Sequence, residues 1–370
     1  MGKLDKDIHQ KEMAIRFCLV NDMTPFLEVN IQNHRELSDT STIITDIDVM
    51  GIESLPSGKA RKTIFDCKTL NKTSPINRAF WASGLMRFSN CEQAFIVLRK
   101  RASEAHRLSA RQIDVHLFDE KQFNNYGESC SIDFNIDYCY SSNISSWLKL
   151  YDCSKGNVEL QTFVEFISNV VPMEVDYVKA YRKFTSALKK VKGELDPQKP
   201  KHQAIFYYTL SIFSFIMSQI VHDLRNIVDF DADELSFEKI LKYYIWGGRE
   251  SYTLKQNLQK AYNAVNQMHP EIDSELKMNK WMEFIELCRN LLDSPNDIQK
   301  CITPMRELGF RTVVEKNVLK EEYCKKIIVE NNRIRQYSQQ MAAYLISVGG
   351  LPKEFMDYFD EAFNELKYGL

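Results

Sequence analysis

Residues 204–221, AIFYYTLSIFSFIMSQIV, constrain the fold of this chain more than any other stretch. The run contains no Asp, Glu, Lys or Arg, and it approaches the roughly 20 apolar residues that span a bilayer. It must be removed from water by lipid or by protein. Thr209, Ser211, Ser214, Ser218 and Gln219 interrupt it, and neither flank shows a second span. Those interruptions favour a helix buried on all sides in a protein core, which requires a shell of further helices. A soluble protein is the expectation.

The sequence beyond about residue 140 supplies such a shell. Helical patterns run over 158–170, 174–192, 202–226, 236–245, 252–266, 275–293, 318–346 and 352–367, with ELDPQKPKH at 194–202 as a break. Strand signals mostly vanish, and no internal repeat or low-complexity tract is present. Residues 141–370 are therefore expected to form an all-helical domain.

Residues 1–140 read differently. A helix over 5–20 precedes three strand patterns, FLEVNIQ, TIITDIDVMGI and KTIFDCKT, the last two separated by the turn cluster LPSGK. INRAFWASGLMRFSNC then reads as a helix, QAFIVLRK as a strand, ASEAHRLSAR as a helix and IDVHLFD as a strand. Consecutive strands followed by strand–helix–strand units predict an α/β domain with a mixed central sheet. A length of 370 residues suits two domains.

Composition narrows the class. With 44% hydrophobic and 26% charged residues the chain is globular rather than disordered. A net charge of −2 neither demands nor excludes a nucleic-acid partner. The nine cysteines are scattered and form no CxxC pair, and the charged start MGKLDKDIHQKE carries no apolar signal region. A reducing cytoplasm with small buried thiols is expected, and no structural zinc site.

The second and third strands hold an anomaly. Asp46, Asp48, Asp66 and Lys68 stand inside runs rich in Ile, Val and Phe, although acids and lysines are poor strand residues. Side chains alternate across a strand, so Asp46 and Asp48 share one face, and Asp66 and Lys68 share one face. A hairpin centred near Ser57 pairs positions whose numbers add to about 114. Asp48 then lies across from Asp66, and Asp46 from Lys68. Two carboxylates at cross-strand distance beside an ammonium suit a hard divalent cation, Mg²⁺ or Mn²⁺, which prefers carboxylate oxygens, water and substrate phosphate. Asp46 is read as mainly structural.

The D-x17-D-x-K spacing, set in a helix, a three-strand meander and a helix–strand–helix–strand unit, resembles the PD-(D/E)xK nuclease superfamily of restriction-endonuclease-like fold. The resemblance covers residues 1 to about 120. It implies that Asp48 and Asp66 are metal ligands, that Lys68 is the catalytic lysine, and that the Cys67 backbone carbonyl is a further metal contact. It also implies a glutamate from the first helix, Glu12, with Glu28 on the first strand as the alternative. Ile47 stands where the family name has Pro, and Asp66 is shorter than the common Glu.

The implied activity is Mg²⁺-dependent hydrolysis of phosphodiester bonds by an endonuclease, with DNA as the expected substrate. The architecture is also similar to that of microbial genome-defence effectors. Lys59, Arg61, Lys62, Lys72, Arg78 and Arg87, with Arg99, Lys100, Arg101 and Arg107, suit phosphate contacts. The helical domain is open to a regulatory protein partner or to homo-oligomerisation. The rival class is a non-catalytic binding scaffold with a nuclease-like fold. Arg111 and His116 have the R-x4-H spacing of HEPN ribonucleases, but they straddle a helix–strand junction. His222 in HDLRN has no identifiable nucleophile and reads as the polar end of the buried helix.

Overall fold

The computed structural model describes residues 7–33, 40, 42–68, 74–229, 231–265, 276 and 278–368. Helix α1 (Ile8–Val20) leads into strands β1 (Thr24–Gln32), β2 (Ile43–Ser54) and β3 (Ala60–Lys68). Helix α2 (Pro75–Ser89) and β4 (Gln93–Leu98) follow, then α3 (Glu104–Arg111), β5 (Val115–Asp119) and α4 (Glu120–Ser129). The five strands form one sheet in the order β1-β2-β3-β4-β5. β1, β2 and β3 pair antiparallel, while β3, β4 and β5 pair parallel through α2 and α3. The mixed sheet is the one that the element order predicts.

The hairpin register follows from its turn. Leu55 N–H donates to Lys59 O at 3.1 Å and Gly58 N–H to Leu55 O at 2.9 Å, which closes β2 onto β3. Gly58 has φ +79°, a left-handed value that glycine adopts without a Cβ penalty. The rungs run from Ser54↔Ala60 to Val49↔Phe65, the register anticipated from the sequence. Alternation then sends neighbouring residues of β3 to opposite faces. Phe65 meets Phe17 of α1 at 5.5 Å between ring centroids, and Phe95 of β4 meets Phe17 at 5.4 Å and Phe123 of α4 at 6.2 Å. α2 and α3 touch each other and pack on the opposite face, where Asp66 points.

The remainder is helical: α5 (Ile144–Asp152), α6 (Val158–Glu165), α7 (Tyr177–Val191), α8 (Pro200–Arg225), α9 (Glu234–Trp246) and α10 (Arg249–Val265). α11 (Trp281–Leu292), α12 (Pro295–Val313), α13 (Val318–Glu330), α14 (Asn332–Gly349) and α15 (Glu354–Tyr368) complete it. No strand lies beyond Asp119 among the described residues. α8 is long and apolar enough to cross a membrane, yet its most apolar stretch is wholly buried by protein. Its hydroxyls fit that core because they bond back to their own helix: Thr209 Oγ1 donates to Ile205 O at 2.7 Å, and Ser214 Oγ to Leu210 O at 2.9 Å.

Two departures from the periodicity are informative. α12 lies at 295–313, where the sequence pattern marks no helix, and it is the main neighbour of α8. A Cβ on Gly309 would come within 3.0 Å of Ala204 O, so the bare glycine lets α12 approach the α8 backbone closely. The segment 318–346 is not one helix. Asn331 takes an extended conformation and its side chain accepts from Arg333 N–H, ending α13 and capping α14.

Sheet and helices share buried contacts. Phe26 of β1 packs edge-on against Phe215 of α8 at 5.3 Å, and Arg306 Nη1 of α12 donates to Pro25 O at 2.8 Å. His222, buried near the end of α8, uses both ring nitrogens, Nδ1 to Ser218 O and Nε2 to Asn296 Oδ1, and so ties α8 to α12. Every cysteine except Cys130 is buried, and all are free thiols.

Candidate metal centre

Three neighbouring strands bring carboxylates together. The rungs Leu27↔Val49 and Val29↔Ile47 bracket Glu28 and Asp48, and Asn30↔Asp46 lies one step further along. Glu28 has φ +51°, a left-handed backbone that costs about 1–2 kcal/mol for a residue with a Cβ and breaks the regular alternation of β1. Such strain persists only where surrounding structure holds it, and it clusters at functional sites. One oxygen each from Glu28, Asp46 and Asp48 lies within 4.8 Å of the others. Glu28 and Asp48 are each 4% exposed, whereas Asp46 is open to solvent.

Buried carboxylates need partners, and each has one. Lys11 of α1, itself buried, pairs with Glu28, and its ammonium lies 3.7 Å from Asp48 Oδ1. Asp48 Oδ2 accepts the Cys67 N–H at 2.8 Å, next to the last β2–β3 rung. Asp66 is gripped from α2: Arg78 Nε and Nη2 each donate to one of its oxygens at 2.6 Å. The Arg78 guanidinium is fixed in turn, 3.5 Å from the centre of the Trp81 ring.

Charge follows geometry. Burial raises the Glu28 carboxyl above its ordinary range; Lys11 opposes that shift, and Asp48 and Asp46 add to it. Burial works against the Arg78 charge, but Asp66, then Asp48 and Asp46, hold it more firmly protonated than a free arginine. Among the described side chains, four carboxylates, Glu28, Asp46, Asp48 and Asp66, stand with two cations, Lys11 and Arg78. A cluster of hard oxygen donors of this kind fits Mg²⁺ or Mn²⁺.

The residues singled out from the sequence are distributed as follows. Asp48 and Asp66 are on adjacent strands in the expected register, but Asp66 is committed to Arg78, and the oxygens in mutual reach belong to Glu28, Asp46 and Asp48. Asp46 thus joins a group from which the sequence reading set it apart. Cys67 presents its N–H to Asp48, and its side chain is buried. Lys68 ends β3 opposite Leu98, and its side chain lies outside the described part of the structure, as does Lys72.

Glu12 is a correction. Its Oε1 accepts the Ile144 N–H at 3.1 Å at the start of α5, and its Oε2 faces Arg16 at 3.7 Å. Successive helical residues diverge by about 100° around the axis, so the rotation that brings Lys11 to the carboxylates turns Glu12 away. Glu12→Gln keeps an acceptor for Ile144 and should leave Mg²⁺ affinity unchanged, whereas Glu28→Gln should lower it about tenfold or more. Calorimetric titration checks this, and an equal loss in both variants would return Glu12 to the site.

Lys11 was not foreseen, although a signal existed: it stands three and four residues before Ala14 and Ile15, on a buried helical face. The hairpin cations also lie elsewhere than expected. Arg61 pairs with Glu53, and Lys59 and Lys62 stand near the turn, at the far end of the hairpin. No protein-family model matches this chain, and no curated protein or solved structure is found to be similar to it.

Proposed function

We propose that the protein is a divalent-metal-dependent nuclease of restriction-endonuclease-like architecture, hydrolysing phosphodiester bonds in DNA. The observation that carries this reading is the carboxylate group of Glu28, Asp46 and Asp48 beside Asp66, built across β1, β2 and β3. Asp48 with Glu28 and Asp46 would hold the metal. Bound there, Mg²⁺ supplies polarisation of the scissile phosphate and a lowered pKa for a coordinated water. Arg78 fixes Asp66 through two hydrogen bonds, and Lys11 offsets the repulsion between Glu28 and Asp48. Lys68 follows Asp66 by two positions and, by the resemblance, steadies charge developing on the phosphate. Arg99, Lys100 and Arg101, all exposed, follow directly after Leu98, the strand partner of Lys68, and suit backbone phosphate contacts.

One observation favours the rival reading. The Lys11–Glu28 and Arg78–Asp66 pairs already satisfy buried carboxylates from within the chain, as a metal-free scaffold would require. Incubation with DNA and RNA in Mg²⁺, Mn²⁺, Ca²⁺ or EDTA separates the two. Cleavage is expected in Mg²⁺ and Mn²⁺, and little in Ca²⁺, whose larger shell misplaces the water.

The pH dependence has a definite sign. Glu28 must lose its proton to bind metal, so Mg²⁺ affinity and cleavage rise as pH climbs above the ordinary glutamate range. Stability of the metal-free protein goes the other way. A raised carboxyl contributes stability that is full below the unfolded pKa and is lost as pH rises through the folded one. The melting gain from Mg²⁺ should therefore grow with pH. No metal-dependent cleavage and no Mg²⁺ shift in melting would leave the scaffold reading standing.

A further inference from the structure

A cavity of about 490 Å³ opens between the β1–β2 edge of the sheet and the helices α6 and α7. Its size falls within the roughly 300–1,000 Å³ of small-molecule sites. Asn30 ties it to the carboxylates. It lines the cavity, and it stands opposite Asp46 in the β1–β2 pairing. Directly opposed residues leave the same face of a sheet with Cβ atoms about 5 Å apart, so the cavity begins beside the candidate metal centre. Part of its helical wall is a π-helical turn, Phe166–Val170, of a kind that recurs at functional sites. Asn169 of that turn accepts the Asn30 N–H at 2.9 Å and fixes the wall to β1.

The lining is accessible, and it selects a chemistry. Ile43 and Val158 are 55% and 74% exposed, and Phe166, Val170 and Ala187 keep part of their surface open. These residues give apolar walls and an aromatic face. The side-chain amides of Asn30 and Gln32, both half-buried, form no hydrogen bond with any described residue. Each offers a donor and an acceptor at the cavity wall. Glu159 and Glu165 outweigh Lys190 among the lining charges, so the interior repels phosphate. An apolar slot with an aromatic face and amide edges, beside a cation site that can take the phosphate, fits a nucleobase.

We propose that this cavity is a base-binding subsite of the nuclease, an inference that rests on the metal-dependent reading above. The base lies against Phe166 with its edge on Asn30 and Gln32. The adjoining phosphate sits on the metal held by Glu28, Asp46 and Asp48. A base stacked and paired in a duplex cannot enter such a slot. The preferred substrate is therefore single-stranded DNA.

Fluorescence anisotropy in Ca²⁺ and cleavage in Mg²⁺, both on the full chain, test this. The probes are a mixed-sequence single strand, its duplex and an abasic strand of equal length. The single strand should bind about tenfold more tightly than either of the others. Thr162→Trp fills the cavity from an exposed position on α6, and Asn30→Leu removes an amide while keeping the backbone bond to Asn169. Both should weaken single-strand binding about tenfold, with Mg²⁺ affinity and melting temperature unchanged. Equal binding of the abasic strand or the duplex would overturn the proposal, as would parental affinity in both variants. Mg²⁺-dependent cutting that is indifferent to both variants defeats the subsite alone. Single-strand binding that both variants weaken, without any cleavage by the parent, leaves the base site standing and defeats the nuclease reading alone.

Discussion

Asp48→Asn should lose Mg²⁺-dependent cleavage by about a hundredfold or more while the protein stays folded, because a metal contributes several kcal/mol to such a transition state. The substitution is nearly isosteric. Asparagine still offers an oxygen to the Cys67 N–H, so the link that holds β2 to β3 at this point is kept. What disappears is a charge from the Glu28, Asp46 and Asp48 group, together with the attraction to Lys11 at 3.7 Å. Asp66→Asn is a less clean probe, because it also breaks a bidentate ion pair and takes away the nearest of the charges that hold Arg78. That variant should both stop cutting and melt at lower temperature. Lys68→Ala should stop cutting yet still bind DNA, since one phosphate contact among several rarely dominates affinity. Cleavage and melting need to be read on the same preparations. An Asp48→Asn variant that cuts like its parent would remove the metal from this site.

The strands and their register were readable because period-two alternation and the LPSGK turn leave one arrangement that buries Phe65 and Val49 together. The apolar run was readable for a similar reason, since nothing but burial suits it. Other features depend on partners far along the chain. α12 contains Pro304 and Gly309, which break a local helical pattern, yet Gly309 is needed where α8 comes close. α1 is buried over much of its surface, including Gln10, Lys11, Arg16 and the run Met13–Leu19, so its sequence does not fix its rotation. That ambiguity is why Glu12 rather than its neighbour Lys11 looked directed at the carboxylates. The left-handed turn of the backbone at Glu28 leaves no mark in composition. Arg78 could be named as a nearby cation, but its grip on Asp66 arises only when α2 crosses back over the sheet.

Lys11→Met should give the largest change in stability. Methionine matches the length of the lysine stem and keeps its apolar contacts, so the substitution isolates the ammonium. Lys11 is 2% exposed, and its charge stands between Glu28 and Asp48. Removing one partner of a buried ion pair typically costs about 3–5 kcal/mol, because the remaining charge stays buried. Glu28 has an escape: already raised by burial, it can take up a proton, and the variant should then recover as pH is lowered. Mg²⁺ offers a second route. A cation held by Glu28, Asp46 and Asp48 would replace the lost positive charge, and ligand at about a hundred times its Kd adds about 2.7 kcal/mol to the folded state. The variant should therefore melt well below the parent in EDTA at neutral pH and regain more from Mg²⁺ than the parent does. Rescue by acid but not by Mg²⁺ would mean that Lys11 only neutralises a buried scaffold. Rescue by both places a divalent cation at the carboxylates independently of any nuclease assay.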